Sequence, residues 1–288
     1  MQGATGKNIL RIGMAMWAEK SWYPRLIRQS CSGASLLHHY SQVFNTVEGN
    51  TTFYALPQLS TVKQWFDDTP DDFRFSLKLP QSVSHQKQLH NVSAELKQFF
   101  ELFAPLQHKL GLIKLQLPAS FSPAESDKLF AFLKQLPSGY EYGVEVRHRD
   151  FFAKGEPEKR FNQTLIQLGM NRIIMDSRPV FSSPATTPVM QHAQRQKPNV
   201  PVHAIATGTF PIIRFIGDVD LAHSLRQFTP WRKKIAQWID EGKSPYLYIH
   251  TADNLHAPEL AQQIAQSLGE SASWLHLPKV QHQQLDMF

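Results

Sequence analysis

The 288 residues contain a single cysteine, Cys31. A lone thiol excludes an internal disulfide and any metal centre built from several cysteines. No run approaches the roughly 20 consecutive apolar residues that cross a bilayer, so no membrane partner is expected. The opening stretch MQGATGKNILRIGMAMW lacks an apolar segment of the secretory kind, and a cytoplasmic location is the expectation. Low-complexity blocks and Gly/Ser linkers are also missing. No glycine-rich phosphate loop follows the first strand-like run, which weighs against a doubly wound nucleotide-binding sheet. His-x-His pairs and His–Glu spacings of the zinc kind are absent as well.

What is present reads as one globular unit. Hydrophobic residues make up 42% of the chain and charged ones 19%, enough apolar surface for a large core. The net charge of +6 mildly favours anionic partners. Short strand-like runs recur: LRIGMAMW, NTVEGNTTFY, FRFSLKLP, GLIKLQLP, YGVEVRH, RIIMDS, IIRFIGD and YLYIHT. They come at intervals of roughly 30 to 40 residues, the length of one strand–helix unit. Helix-spaced stripes lie between them, such as Leu96, Phe99, Phe100 and Phe103, or Trp231, Ile235 and Trp238. Eight such units predict a single α/β domain, a (β/α)8 TIM barrel, over residues 8–268 with a C-terminal tail over 269–288.

Alternation within the strands assigns their faces. The apolar phase is expected outward, under the helices: Phe75 and Leu77, Ile113 and Leu115, Val144 and Val146, Ile173 and Met175, Ile213 and Phe215, Leu247 and Ile249. The polar phase is then inward. Its acids are Glu48, Glu145 and Asp176; its bases are Arg74, Lys78, Lys114, Arg147 and Arg214. A barrel interior that serves stability alone is filled by Val, Ile and Leu. Buried charges either pair to fix the strand register or form a site. Residues late in their strands lie at the C-terminal rim, where barrel enzymes work. Glu48, Lys78, Glu145, Asp176 and His250 are the candidates there for proton transfer, through a carboxylate of raised pKa or through the imidazole. Asn50, Gln116, Arg147 and Arg214 are candidates for holding an anion such as a phosphate. Trp17, with Phe53 and Tyr54, either stacks on a base or sugar or walls the mouth.

Several motifs in order, FNTVEGNTTFYALP, DDFRFSLKLP, LQLPASF, YGVEVRH, MDSRPV and RFIG, resemble those of the YecE-like family, a bacterial family without an assigned reaction. The resemblance runs from about Gly13 to about Leu260. It implies a TIM barrel distantly similar to xylose isomerase and endonuclease IV. The chain departs from the family pattern at strand eight, where many relatives have an Asn-Asn pair and this sequence has His250 and Thr251.

Barrels of that kind place Glu, Asp and His metal ligands at strand ends. Glu145, Asp176 and His250 are the residues available for a divalent ion, with Mg²⁺ or Mn²⁺ ahead of zinc. Arg214 on strand seven opposes it, because a guanidinium repels the ion. The longest connection, between strands six and seven, carries Arg178, Arg195, Lys197 and His203, and is expected to form an anion-gripping lid or a stiff cover.

The chain ends in QLDMF, which resembles the short peptide by which bacterial replication and repair proteins bind the DNA sliding clamp. Gln284 suits a hydrogen bond at a pocket edge, and Leu285, Met287 and Phe288 suit apolar pockets. The leading expectation is therefore a protein that binds or processes a phosphate-containing ligand, nucleic acid included. The alternatives are a sugar-phosphate isomerase or epimerase and a non-catalytic interaction scaffold. As an enzyme it would belong to the hydrolases or the isomerases and lyases.

Overall fold

The computed structural model describes residues 9–26 and 34–278. Eight parallel strands run in sequence order around a barrel: β1 (Arg11–Met14), β2 (Thr46–Gly49), β3 (Arg74–Lys78), β4 (Leu110–Gln116), β5 (Tyr142–Glu145), β6 (Asn171–Asp176), β7 (Ile212–Ile216) and β8 (Tyr246–His250). The principal helix after each strand is α1 (Leu36–Ser41), α2 (Leu59–Asp67), α3 (Ser93–Phe103), α4 (Ser126–Gln135), α5 (Glu156–Gln167), α6 (Pro188–Gln196), α7 (Leu221–Asp240) and α8 (Ala257–Leu268). This is the eight-unit barrel that the spacing of the runs predicts. Among the described residues no helix is long and apolar enough to cross a membrane.

Ladder pairing joins β1 to β8 and then each strand in turn back to β2. The remaining seam, between β1 and β2, is bridged by side chains. The Tyr40 hydroxyl accepts from the Met14 amide at 2.7 Å and donates to the Thr46 carbonyl at 2.9 Å. The Asn45 amide accepts from the Ile12 N–H at 2.9 Å and donates to the Leu10 carbonyl at 3.1 Å. Backbone groups that a ladder would have paired thus find partners, as buried polar groups must. The close approach requires glycine at position 13, since a Cβ there would lie 2.0 Å from the Thr46 carbonyl oxygen.

The outer face of the barrel is apolar. Phe75, Leu77, Ile113, Leu115, Val144, Ile213, Phe215, Leu247 and Ile249 share one core with the helices. The stripes read from the sequence supply the other side: Phe99 and Phe103 of α3, and Trp231, Ile235 and Trp238 of α7, are buried. The chain stays packed past Leu268, with Ala272 and Leu275 buried in the same core. Gln284, Leu285, Met287 and Phe288 lie outside the described residues.

The inside of the barrel is layered. Its N-terminal end is plugged by Leu112, Ile173, Ile212, Tyr246 and Tyr248. Charged groups lie above that plug. Strand β6 corrects the expected alternation. Met175 pairs in register with Arg214 and Asp176 with Phe215, so Met175 faces inward and Asp176 outward. Ile173 is part of the inner plug for the same reason. Asp176 accepts from the Trp231 indole of α7 at 2.6 Å, and Arg178 Nη2 donates to it at 2.7 Å. A carboxylate under the helix layer is tolerable because these donors satisfy it. Asp176 is therefore not part of the barrel mouth.

Candidate functional site

Glu48 is the hub of the charged layer. It is the third residue of β2, fully buried, and faces two cations from other strands. Lys114 of β4 donates to its Oε1. Arg214 of β7 donates through Nη2 to Oε2 at 2.9 Å. Its Nε lies 2.8 Å from Oε1 as an ion-pair contact, without an aligned N–H. Asn50 donates to Oε2 at 3.0 Å and to the Ala15 carbonyl at 2.8 Å, which ties β2 to the end of β1.

Glu145 at the end of β5 is the second carboxylate. Arg214 Nη1 donates to its Oε2 at 3.0 Å, and Arg147 Nε donates to its Oε1 at 2.7 Å. Burial alone would raise its pKa, but Arg147, Arg214, Lys78 and Lys114 hold it well below the usual carboxylate range. The expectation of a carboxylate with raised pKa thus fails at Glu145, which is an ionised clamp and a weak base. Arg214 joins the two carboxylates, and a bidentate fork suits that task better than a point charge.

Lys78, at the end of β3, has a different environment. Its Nζ donates to the neutral Gln116 Oε1 at 2.7 Å, and no carboxylate among the described residues pairs with it. Burial, and then Arg214, Arg147 and Lys197, push its pKa well below the ordinary lysine value, against an opposing pull from Glu145. His250 at the end of β8 is pushed well below its ordinary value by burial first, then by Arg214, Lys197, Lys114 and Lys78. Its Nε2 is 3.7 Å from Glu48 Oε2 and has no hydrogen-bond partner among the described residues. The buried Asn50 Oδ1 is also without one.

Above these groups a cavity of about 630 Å³ opens at the C-terminal ends of the strands. Lys78, Gln116, Arg147, Arg214 and His250 line it, together with Asn50. Trp17, Phe53 and Tyr54 wall its β1–β2 side, and Met175 and Ile216 its opposite side. Tyr54 is 73% exposed and leaves an aromatic face at the rim. A second hollow of about 620 Å³ lies across Arg147 and Lys197 and adds His148 and Arg149 to its lining. Phe151 and Phe152, which follow, are packing residues in the core.

The structure therefore brings together Trp17, Glu48, Asn50, Lys78, Gln116, Glu145, Arg147, Arg214 and His250, and leaves Asp176 out. It adds Met175, which the sequence assigned outward, and Ile216, which shares the inward phase of Arg214 and was not singled out. The long connection between β6 and β7 is anchored: Ser177 donates to the Pro198 carbonyl at 2.6 Å, and Gln194 donates to the Val180 and Ser183 carbonyls at 2.9 Å. Arg178 is held by Asp176 and His203 by Glu158, and Arg195 is exposed on α6. Lys197 alone of these four lines the mouth. Burial first, then Arg214 and Arg147, depress its pKa.

Among the described residues no three His, Cys, Asp or Glu side chains are grouped to hold a metal ion. The donor set explains this. Asp176 faces away, and the oxygens of Glu48 and Glu145 already meet Lys114, Arg147 and Arg214. Those cations occupy the space and supply the charge that a divalent ion would.

Comparison with known proteins follows the same outline. The family described as "Protein of unknown function DUF72" matches residues 11–285. The UPF0759 protein YecE of Escherichia coli is 44% identical over 260 residues, covering 90% of this chain and 93% of that protein. YunF of Bacillus subtilis, another UPF0759 protein, is 24% identical over 153 residues, about half of each chain. A DUF72 family protein of Thermotoga maritima superposes with a TM-score of 0.67 at 21% identity, over 91% of this chain and all of that one. A DUF72 family protein of Enterococcus faecalis gives 0.66 at 19%, over 91% and 98%. At these identities the solved structures speak for the fold.

Proposed function

We propose that this chain, which belongs to the DUF72 family, binds a phosphate-bearing ligand in its barrel mouth, with nucleic acid the leading class. The observation that carries the reading is the charge imbalance at the mouth. Five basic side chains, the guanidinium groups of Arg147 and Arg214 and the amines of Lys78, Lys114 and Lys197, converge on two carboxylates, Glu48 and Glu145. Lys114 and Arg214 are tied to Glu48, and Arg147 to Glu145. Among the described residues Lys78 and Lys197 have no carboxylate partner, and Arg147, whose Nε and Nη2 meet Glu145, lines the cavity beside them. Phosphate oxygens fit such donors, and the aromatic wall of Trp17, Phe53 and Tyr54 offers faces for a base or sugar. The second hollow, reached past Arg147 and Lys197, gives an extended ligand somewhere to continue.

The C-terminal QLDMF adds a tether to this reading, because a clamp-bound tail would hold the barrel on DNA. A peptide of the last ten residues is expected to bind a bacterial sliding clamp in the micromolar range of short motifs. Loss of that binding on replacing Leu285 and Phe288 by alanine supports the tether, and clamp binding unchanged by truncating the tail refutes it.

The reading is tested by titrating a labelled single-stranded oligonucleotide, in parallel with pyrophosphate, at low and physiological salt. Nucleic-acid binding predicts a log–log salt slope of about −0.7 per phosphate neutralised. Pyrophosphate binding without oligonucleotide binding moves the assignment to a small phosphate ester. Binding of neither removes the anion site.

A further inference from the structure

We propose that Lys78 is a nucleophilic amine, and that the mouth takes an aldehyde or ketone carrying a phosphate group and joins its carbonyl carbon to Lys78 Nζ as an imine. The proposal rests on the anion reading for the phosphate and adds the covalent chemistry.

Geometry selects Lys78 among the lysines of the site. Lys114 is fully buried, donates to Glu48, stands over the Tyr248 ring at 4.8 Å and does not line the cavity. Its nitrogen is held as half of an ion pair beneath the floor. Lys197 lies at the rim, between the two hollows. Lys78 combines burial with access, since it is 6% exposed and lines the cavity. Among the described residues its Nζ makes one hydrogen bond, to the uncharged Gln116 amide oxygen. The charged and titratable groups around it come from every side: Arg214 from β7, Glu145 from β5 and Arg147 just after it, Lys197 from the β6–β7 connection, His250 from β8 and His85 from the segment after β3. Cationic groups outnumber the single carboxylate in that list, and burial adds to them. Desolvation and neighbouring cations are the two means by which proteins keep a lysine amine unprotonated and reactive. An amine of ordinary pKa is free of its proton in roughly one molecule in a few thousand at neutral pH.

The step balances within the site and solvent. The Nζ lone pair attacks the carbonyl carbon, and the carbonyl π pair passes to oxygen, which takes up a proton. The nitrogen of the resulting carbinolamine loses one proton. The hydroxyl then leaves with another proton as water while the C=N bond forms. The net change is one amine and one carbonyl to one imine and one water, and uptake of one proton from solvent gives the protonated imine. The positively charged, protonated imine withdraws electrons from the adjacent carbon and acidifies its C–H bond. Phosphate on the same molecule would meet Arg147 and Lys197, which face the same cavity. Two sources supply this chemistry: a free sugar phosphate and the ring-opened aldehyde of an abasic nucleotide within a strand.

The test is reductive trapping on the full-length protein at neutral pH. Glyceraldehyde 3-phosphate, glyceraldehyde, and a single-stranded oligonucleotide with one abasic site are each incubated with the protein and cyanoborohydride. Adducts are mapped by peptide mass spectrometry, and binding of inorganic phosphate is measured in parallel. The expected result is an adduct on Lys78 at least tenfold above that on any other lysine, lost in Lys78→Arg. Trapping by the triose phosphate supports a small-molecule source, and trapping by the abasic strand supports a nucleic-acid source. An adduct on Lys78 that forms as readily from glyceraldehyde as from its phosphate supports the amine while refuting the anion site. Phosphate binding with adducts absent from Lys78, or spread evenly over the lysines, overturns the proposal and leaves the anion site standing.

Discussion

Replacing Glu48 by glutamine removes one charge at nearly constant volume from the hub of the network. The carboxylate is fully buried, meets Lys114, and lies 2.8 and 2.9 Å from two nitrogens of Arg214. Breaking a buried ion pair from one side costs about 3–5 kcal/mol, because the partner is left buried and uncompensated. Two features place this case at the lower end. Arg214 retains Glu145 at 3.0 Å. Lys114 is already pushed well below its ordinary value, chiefly by burial, and sheds its proton more readily once Glu48 is neutral. A loss of about 3 kcal/mol at pH 7 is expected, or a fall in Tm of roughly 5–10 °C for a chain of this size. The pH dependence tests the cause. A lysine whose folded pKa lies below its unfolded value binds fewer protons when folded, so stability rises with pH between the two values. Glu48→Gln widens that window downward for Lys114, so the gap to the native protein narrows from pH 7 to pH 9. Urea unfolding at both pH values measures it. A loss under about 1 kcal/mol at pH 7, or a gap that does not change with pH, refutes the reasoning.

Three further outcomes follow from the same structure. Tyr40→Phe leaves the Met14 N–H and the Thr46 carbonyl without their bridge at the β1–β2 seam; a loss of about 2–3 kcal/mol in urea unfolding is expected. Gly13→Ala drives a Cβ toward the Thr46 carbonyl and prises the seam open; it is expected to cost more than the roughly 1–3 kcal/mol of ordinary overpacking, because the obstacle is backbone. Glu145 has a folded pKa depressed below the ordinary 4.5, so its contribution is complete above that value and is lost as the pH falls below it. Stability measured from pH 6 to pH 3 should fall more steeply in the native protein than in Glu145→Gln.

The architecture was legible because each strand–helix unit leaves its own run, and because helix stripes such as Trp231, Ile235 and Trp238 need only local periodicity to be seen. The mouth was legible where the strand alternates between apolar and charged residues, as in RFSLK of β3, which placed Lys78 inward correctly. The same rule failed on β6. There both faces are buried, the inward positions Ile173 and Met175 are apolar, and the outward Asp176 is satisfied by Trp231 and Arg178. Apolar therefore did not mean outward, because apolar side chains also fill the lower barrel, as at Ile173, and wall the mouth, as at Met175. The pKa of Glu145 depended on Arg147, close in sequence, and on Arg214, close only in space. Sequence spacing carries no information about the second. The role of Tyr40 and Asn45 in closing the barrel was likewise invisible, since side chains that replace a ladder leave no periodic trace.

The central claim is an anion site in the barrel mouth, and the most direct measurement is a crystal of the full-length protein soaked in tungstate, with the ion located by anomalous scattering. The account predicts a tetrahedral anion in the 630 Å³ cavity, within hydrogen-bond distance of Arg147 and Lys197 and lost in Arg147→Ala. A mouth without tungstate in crystals whose other surfaces bind it, or an anion that stays in place in Arg147→Ala, would contradict the account.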